Sequence, residues 1–357
     1  MDDLDKRLLN ILQMNLPLTP TPYAAMGAQL GLSEAEVLAR VRALKEARII
    51  RQISAIFDTR KLGYRSSLVA MKVDPRRVHE AARVINAHPG VSHNYERNHA
   101  FNLWFTIAVP PPSTIEEHVE VLHREAGAES TRLLPTLRLF KIGVKLDMTG
   151  EADITAQDPD GVRRDPYWNV GRPLSALDVQ LVRELQQDLL LEPRPFAPAA
   201  ARLNLTEEAL LAHARRLIDE GIMRRFAAVL YHRRAGYKAN AMGVWRVPEE
   251  RVEEVGFQMA AFAAVSHCYQ RPVYPDWPYN LFTMVHGHTP EECERLLAAI
   301  SAATGITDYC ALYSTREYKK VRVLYYTDDY ARWEREHLGV ARVDMEGIPS
   351  GLAPAGS

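Results

Sequence analysis

Cysteine is scarce in this 357-residue sequence: Cys268, Cys293 and Cys310 form no CxxC pair and no zinc-like spacing. That excludes a disulfide scaffold and a zinc-ribbon module, and it suits a reducing compartment. Net charge is lacking too, with 44 Lys and Arg against 45 Asp and Glu. This weakens a nucleic-acid role without excluding it, because a basic face can sit inside a neutral total. Long apolar runs are missing: no stretch approaches a membrane span, and the opening MDDLDKRLLNIL has no apolar signal core. A cytoplasmic protein that stays off the membrane is expected. What remains, 47% apolar and 25% charged residues, is the make-up of a globular protein with room for several domains.

The chain repeats itself. LDKRLLNILQ from Leu4 matches LDVQLVRELQ from Leu177, LGLSEAEVLARVRALKEARIIR matches LNLTEEALLAHARRLIDEGIMR, and RKLGY matches RRAGY. Further on, VSHNYER matches VSHCYQR, and the next segment is longer in the second copy, YQRPVYPDWPYNLFTMV against YERNHAFNLWFTI. So many matches in unbroken order mean a duplicated unit. The reading divides the chain into helix-turn-helix modules at 1–60 and 173–233 and sandwiches at 61–148 and 234–330. A polar linker rich in Pro, Gly and Asp occupies 149–172, and a C-terminal tail 331–357.

Within a copy, Leu4, Leu8, Ile11 and Leu12 recur at helical spacing. A short helix then runs to Gly31, and Ser33 with Glu36 forms a capping box for a third helix carrying Val37, Leu38, Val41 and Leu44. Thr206 starts the matching helix in the second copy. A strand at Ile49–Ile53 completes a winged helix-turn-helix. The remainder reads βαββαβ, the ferredoxin-like split-βαβ sandwich, with one sheet face open for pairing. The fold class is therefore α+β: two tandem repeats of winged helix-turn-helix plus ferredoxin-like sandwich. We expect an intramolecular pseudo-dimer, with the sandwiches back to back, the winged helices outside, and further homo-oligomerisation open to it.

Helix-turn-helix followed by this sandwich, with LDKRLLNILQ, LGLSEAEVLARVRALKEARII and the RKLGY step, resembles the feast/famine regulators of the Lrp/AsnC family. FDTRKLGYRSSLVAMKV, GVSHNYERNHAFNLWFTI and LFKIGVKLDM resemble more closely the siroheme decarboxylases, which share the architecture and usually occur as two related subunits. PYAAMGAQLGL and RPFAPAAARLNL fit the same pattern. The resemblance implies a fusion of two such subunits, with siroheme as substrate and didecarboxysiroheme as product. Two ring acetates would become methyls in heme or d-type heme biosynthesis. No resident cofactor or metal is implied, since the iron arrives in the tetrapyrrole.

Residues two apart on a strand share a face, so His93, Tyr95 and Arg97 project together, as do His267, Tyr269 and Arg271. Ser92, Asn94 and Glu96 point the other way, and Cys268 points away from His267. His99, at the following turn, is close enough in sequence to join the first cluster. Loss of CO2 leaves an electron pair that must be protonated, and histidine is the natural acid near neutrality. His93 and His99 are the catalytic candidates, either as that acid or as a ligand to the substrate's iron, and the pair favours the first copy. Arginines suit the many carboxylates of such a substrate. Tyr95, Arg97, Asn102, Lys141, His267, Tyr269, Arg271 and Lys319 make up the expected substrate-binding set. Tyr95 and Tyr269 also read as core aromatics, Asn102 and Asn280 as hairpin locks, and Lys141 and Lys319 as sheet-edge residues. The remaining histidines, among them His88, His118 and His232, show no repetition and read as solvated. His286 and His288 make a poor metal pair.

A recognition helix presents its first turn to base edges, and here that turn holds Glu34 and Glu36, or Glu207 and Glu208. Carboxylates facing a polyanion repel it. DNA binding is therefore not expected, although a tandem ligand-responsive DNA-binding regulator is the rival reading, and a tetrapyrrole carrier without turnover a third.

Overall fold

The computed structural model describes residues 1–142, 162, 172–230, 239–287 and 289–340. Nearly all of the linker expected at 149–172, the RRAGY step with His232, and the chain beyond 340 lie outside the described residues.

The first copy opens with α1 (Asp3–Met14), α2 (Pro22–Leu30), α3 (Glu34–Glu46) and β1 (Ile50–Phe57). Its sandwich follows as β2 (Arg65–Lys72), α4 (Val78–Ala87), β3 (Val91–Arg97), β4 (Leu103–Val109), α5 (Ile115–Ala126), β5 (Ser130–Pro135) and β6 (Arg138–Ile142). The second copy opens with α6 (Ala176–Leu185), α7 (Ala197–Arg202), α8 (Glu207–Asp219) and β7 (Met223–Leu230). It continues with β8 (Ala239–Trp245), α9 (Val252–Ala260), β9 (Val265–Gln270), β10 (Leu281–Gly287), α10 (Pro290–Thr304) and β11 (Tyr309–Lys320), and a last helix, α11 (Asp328–Leu338), follows. Among the described residues no helix is long and apolar enough to cross a membrane.

The helix-turn-helix modules form where their signals stand. Ser33 accepts from the Glu36 amide while the Glu36 carboxylate takes the Ser33 amide at 2.8 Å, and Thr206 accepts from the Ala209 amide. Gly31 closes α2 at φ 72°, a left-handed conformation that favours glycine. The two modules are not separate bodies on the outside. Leu8, Leu12, Val37 and Val41 share one core with Leu181, Val182, Leu210 and Leu217. The wing strands pair antiparallel with each other, β1 on β7, and Ile53, Ala55, Phe226 and Ala228 are buried on this ribbon. The winged helices expected outside the sandwiches are thus packed on each other through one shared core and ribbon.

The sandwiches trade their last strands. The sheet order is β5-β2-β4-β3-β11-β8-β10-β9-β6, antiparallel throughout. The first half of β11 pairs with β8, and its second half crosses to β3 in the first copy. In the same way β5 pairs with β2, while β6 crosses to β9 in the second copy. Phe140 on β6 packs over Gly256 on α9, where any Cβ would collide with its ring. Between the two halves of this sheet, Ala70, Trp104 and Leu134 meet Met242, Val244, Phe282 and Leu312, with Trp277 closing the seam.

The tail boundary at 331 is also corrected. DDYARWEREHL is amphipathic and folds as α11, burying Tyr330 in the helix-turn-helix core and Trp333 under the first sandwich.

Candidate active site

β3 and β9 each carry a bulge at the same place. The register slips between Val91 and His93, and between Val265 and His267 against β10. The extra residue is a serine both times, and the bulge re-aims it. Ser92 Oγ lies 2.9 Å from His93 Nδ1 and 2.7 Å from Thr106 Oγ1. Ser266 Oγ lies 2.8 Å from His267 Nδ1 and 2.7 Å from His286 Nε2. The expectation that Ser92 points away from His93 fails for this reason, whereas Asn94 does face the helix side, donating to Asn86 Oδ1 at 3.0 Å.

Past the bulge the alternation is regular. The His93 ring sits 6.1 Å from Tyr95, and the Arg97 guanidinium 5.8 Å from the centre of that tyrosine ring. In the second copy the corresponding distances are 5.9 Å and 4.9 Å, for His267, Tyr269 and Arg271. The His-Tyr-Arg triplets are thus assembled twice.

Burial, helped by Lys320 and Arg51, holds His93 down to about 4, and burial with His286 and Arg271 does the same to His267. Both imidazoles are therefore neutral at physiological pH in the empty protein. Burial also pushes Arg97 and Arg271 down to about 10. Each donates to a backbone carbonyl where a traded strand crosses over: Arg97 to Leu312 at 2.9 Å, Arg271 to Leu134. Each leaves a buried Nε without a hydrogen-bond partner, and among the described residues neither meets a carboxylate.

More cations converge from other elements. Lys320 on β11 stands opposite His93, while Ile142 holds the same place opposite His267. Arg51 acts on His93, and Arg60 and Arg224 act on Tyr269. Arg322 donates to Ser54 Oγ and the Ala55 carbonyl, tying the β1 ribbon to the end of β11. Arg224 is paired to Asp58 at 2.7 Å. Where the ribbon meets the sandwiches, neutral imidazoles, tyrosines and several cations therefore act on one another.

Other expected residues sit elsewhere. His99 caps its own turn by accepting from the Phe101 amide, and its ring lies 5.4 Å from Trp277. It does not join His93, since His93 and Arg97 alone span about 13 Å of extended strand. Asn102 both donates to and accepts from the Val73 backbone, and Asn280 does the same to Val247, so both lock hairpins. Lys319 Nζ holds the Asn86 carbonyl at the end of α4, and Lys141 the Phe262 carbonyl beyond α9. Both lysines serve helix ends on the face opposite the imidazoles. His88 and His118, expected in solvent, are fully buried in a chain running from the Gly90 amide through both rings to Glu334 on α11. Among the described residues no group of three His, Cys, Asp or Glu is placed to hold a metal ion.

Sequence reasoning missed Ser92, Ser266, His286, Lys320, Arg51, Arg60 and Arg224. The serines did carry a signal, because V-S-H recurs in both copies. In the sequence His286 reads only as half of a poor metal pair, whereas Lys320, Arg51, Arg60 and Arg224 come from distant segments that only the fold brings near.

Family models match both copies of the repeat. An AsnC-like ligand binding domain matches residues 61–141 and 234–319, and a siroheme decarboxylase NirDL-like HTH domain matches 5–51 and 178–224. The siroheme decarboxylase of Hydrogenobacter thermophilus is 44% identical over 94% of this chain and 98% of its own. The chain belongs to the siroheme decarboxylase family. A crystal structure of the siroheme decarboxylase NirDL in co-complex with an iron-uroporphyrin III analogue superimposes with a TM-score of 0.75 at 37% identity, covering 94% of this chain and 99% of that one. The siroheme decarboxylase beta subunit of Methanosarcina barkeri is 49% identical over 41% of this chain and 96% of its own. One family subunit thus corresponds to about one copy, as a fusion requires.

Proposed function

We propose that the chain decarboxylates siroheme, converting two ring acetates to methyls and releasing didecarboxysiroheme. The observation that carries this reading is the doubled triplet. In each copy a neutral imidazole and, one tyrosine further along the strand, a buried guanidinium share a face, and among the described residues that guanidinium meets no carboxylate. A buried cation without a counter-ion is costly, and a macrocycle ringed with carboxylates supplies one. The related chain bound to an iron-uroporphyrin III analogue supports the same class of ligand.

The chemistry needs few parts. The bond between the ring-attached carbon and the carboxyl carbon breaks, CO2 leaves, and the electron pair left behind takes a proton. His93 and His267 are the donors within reach of this face. Substrate carboxylates seated near His93 raise its pKa, so more of that imidazole carries the proton to be donated once substrate is bound. Arg51, Lys320, Arg60 and Arg224 orient the other carboxylates, and a reacting carboxylate is best left outside their grip, since stabilising its charge raises the barrier. One proton enters for each CO2 lost and no electrons are exchanged, so the balance calls for no resident redox cofactor. The iron belongs to the substrate.

We propose further that DNA is not bound. The basic side chains of both would-be recognition helices are engaged within the chain. Arg42 donates to the Leu191 carbonyl at 2.7 Å, and its counterpart Arg215 to the Leu18 carbonyl at 2.5 Å. Arg40 pairs with Asp2 and Asp5, Lys45 with Asp188, and Arg216 with Asp178. Anaerobic titration with siroheme, with released CO2 measured alongside the absorption shift, tests the first statement, and duplex DNA retardation at two salt concentrations the second. CO2 release supports the enzyme, a shift without CO2 makes it a carrier, and salt-sensitive retardation of duplex DNA supports the regulator.

A further inference from the structure

We propose that His286 is a proton-relay residue, passing protons through the Ser266 hydroxyl to His267 while that imidazole protonates the carbon left by CO2. The inference rests on the siroheme reading above and deepens it. Ser266 is buried, and its hydroxyl lies between two imidazole nitrogens at 2.8 and 2.7 Å, with the Met284 carbonyl at 3.3 Å. His286 on β10 is partly exposed and so reaches solvent. Nδ1 of His267 is turned to the serine, which leaves Nε2 at the far side of the ring. Arg271 and His286 are the charged or titratable groups acting on His267, and Arg60 and Arg224 act on Tyr269 beside it.

The first copy lacks the device. Ser92 bridges His93 to the Thr106 hydroxyl, which holds no spare proton at neutral pH. By register, Ala108 stands where the second copy has His286, and its carbonyl accepts from Tyr330 on α11 at 3.3 Å. The two sites are therefore chemically unequal: the first gains Lys320 opposite its histidine, the second gains a second imidazole.

In the step, a neutral His267 gives its Nε2 proton to the carbon as CO2 departs. Its Nδ1 takes the Ser266 proton, and Ser266 takes one from the His286 imidazolium. The proton returned at the end of the cycle, in the next step, restores the His286 imidazolium. After product leaves, His267 returns its Nδ1 proton along the same chain and takes one from water at Nε2. This lets an imidazole that is neutral at pH 7 act as an acid without first becoming a buried cation.

The test uses the full-length protein with siroheme under anaerobic conditions, comparing wild type with His286→Ala, His286→Gln and Ser266→Ala. Turnover is expected to fall at least about tenfold in all three, with siroheme binding, read from the absorption titration, within about twofold of wild type. Added imidazole is expected to restore turnover in His286→Ala but not in Ser266→Ala. Turnover of His286→Ala within about twofold of wild type overturns the relay. So does a parallel loss of binding and turnover that imidazole does not rescue, which would mark His286 as structural. A wild-type protein that releases no CO2 overturns the siroheme reading itself.

Discussion

Arg97 separates a substrate-receiving site from a mere structural staple, and Arg97→Met is the perturbation that decides between them. Only 7% of this residue is exposed, its Nε has no partner, and no carboxylate faces it among the described residues. Burial lowers its pKa from 12.5 to about 10, which corresponds to about 3 kcal/mol of lost hydration in the folded state. Methionine removes that cost and keeps much of the stem's packing. It also abandons the hydrogen bond to the Leu312 carbonyl, worth about 1 to 2 kcal/mol. The two effects nearly cancel, so urea unfolding of the empty protein should shift by less than about 2 kcal/mol in either direction. Siroheme affinity, read by anaerobic absorption titration, should fall at least about tenfold. Unfolding destabilised by more than about 3 kcal/mol with siroheme affinity unchanged would refute the reasoning. It would make the crossover carbonyl the arginine's whole purpose.

His93 and His267 titrate near 4 in the folded chain and near 6.5 when unfolded. Between those values the unfolded chain binds more protons, so stability should fall as pH drops from 6.5 toward 4, by up to about 3 kcal/mol per ring. His93→Gln with His267→Gln should flatten that slope in urea titrations at several pH values, and an unchanged slope would place the acid lability elsewhere. Trp277 is fully buried in the seam between the two halves of the sheet, against His99, Phe101 and Trp104. Trp277→Ala should cost about 3 to 5 kcal/mol, and a cost below about 1 kcal/mol would show that the seam does not depend on it. Asp178, 1% exposed, holds Arg172 at 2.8 Å and Arg216 at 2.6 Å. Asp178→Asn should lower stability by about 3 kcal/mol without touching siroheme binding, as thermal unfolding and titration will show.

Much of the fold was legible because its signals are local. The Ser33–Glu36 box, Gly31 and the Leu8–Leu12 spacing each specify their own element. The repeat exposed the duplication, and strand alternation placed His93, Tyr95 and Arg97 together. What failed was non-local. No periodicity in RLFKI or REYKK says that these strands finish on the other copy, and that exchange is what puts Lys320 opposite His93. Alternation assumes a regular ladder, so one bulge sufficed to turn Ser92 and Ser266 toward the imidazoles. His99 was assigned by closeness in sequence, yet an insertion from the other copy, ending in Trp277, claims it. His88 and His118 look like solvated helix-end residues until α11, more than 200 positions away, brings Glu334 to them.

Product mass after anaerobic incubation of the purified protein with siroheme in heavy water tests the central claim most directly. The account predicts the loss of two CO2 units and the gain of one deuteron in each new methyl, since the proton delivered to each carbon comes from solvent. An unchanged tetrapyrrole mass, with siroheme bound and its absorption shifted, would contradict the account and leave a carrier.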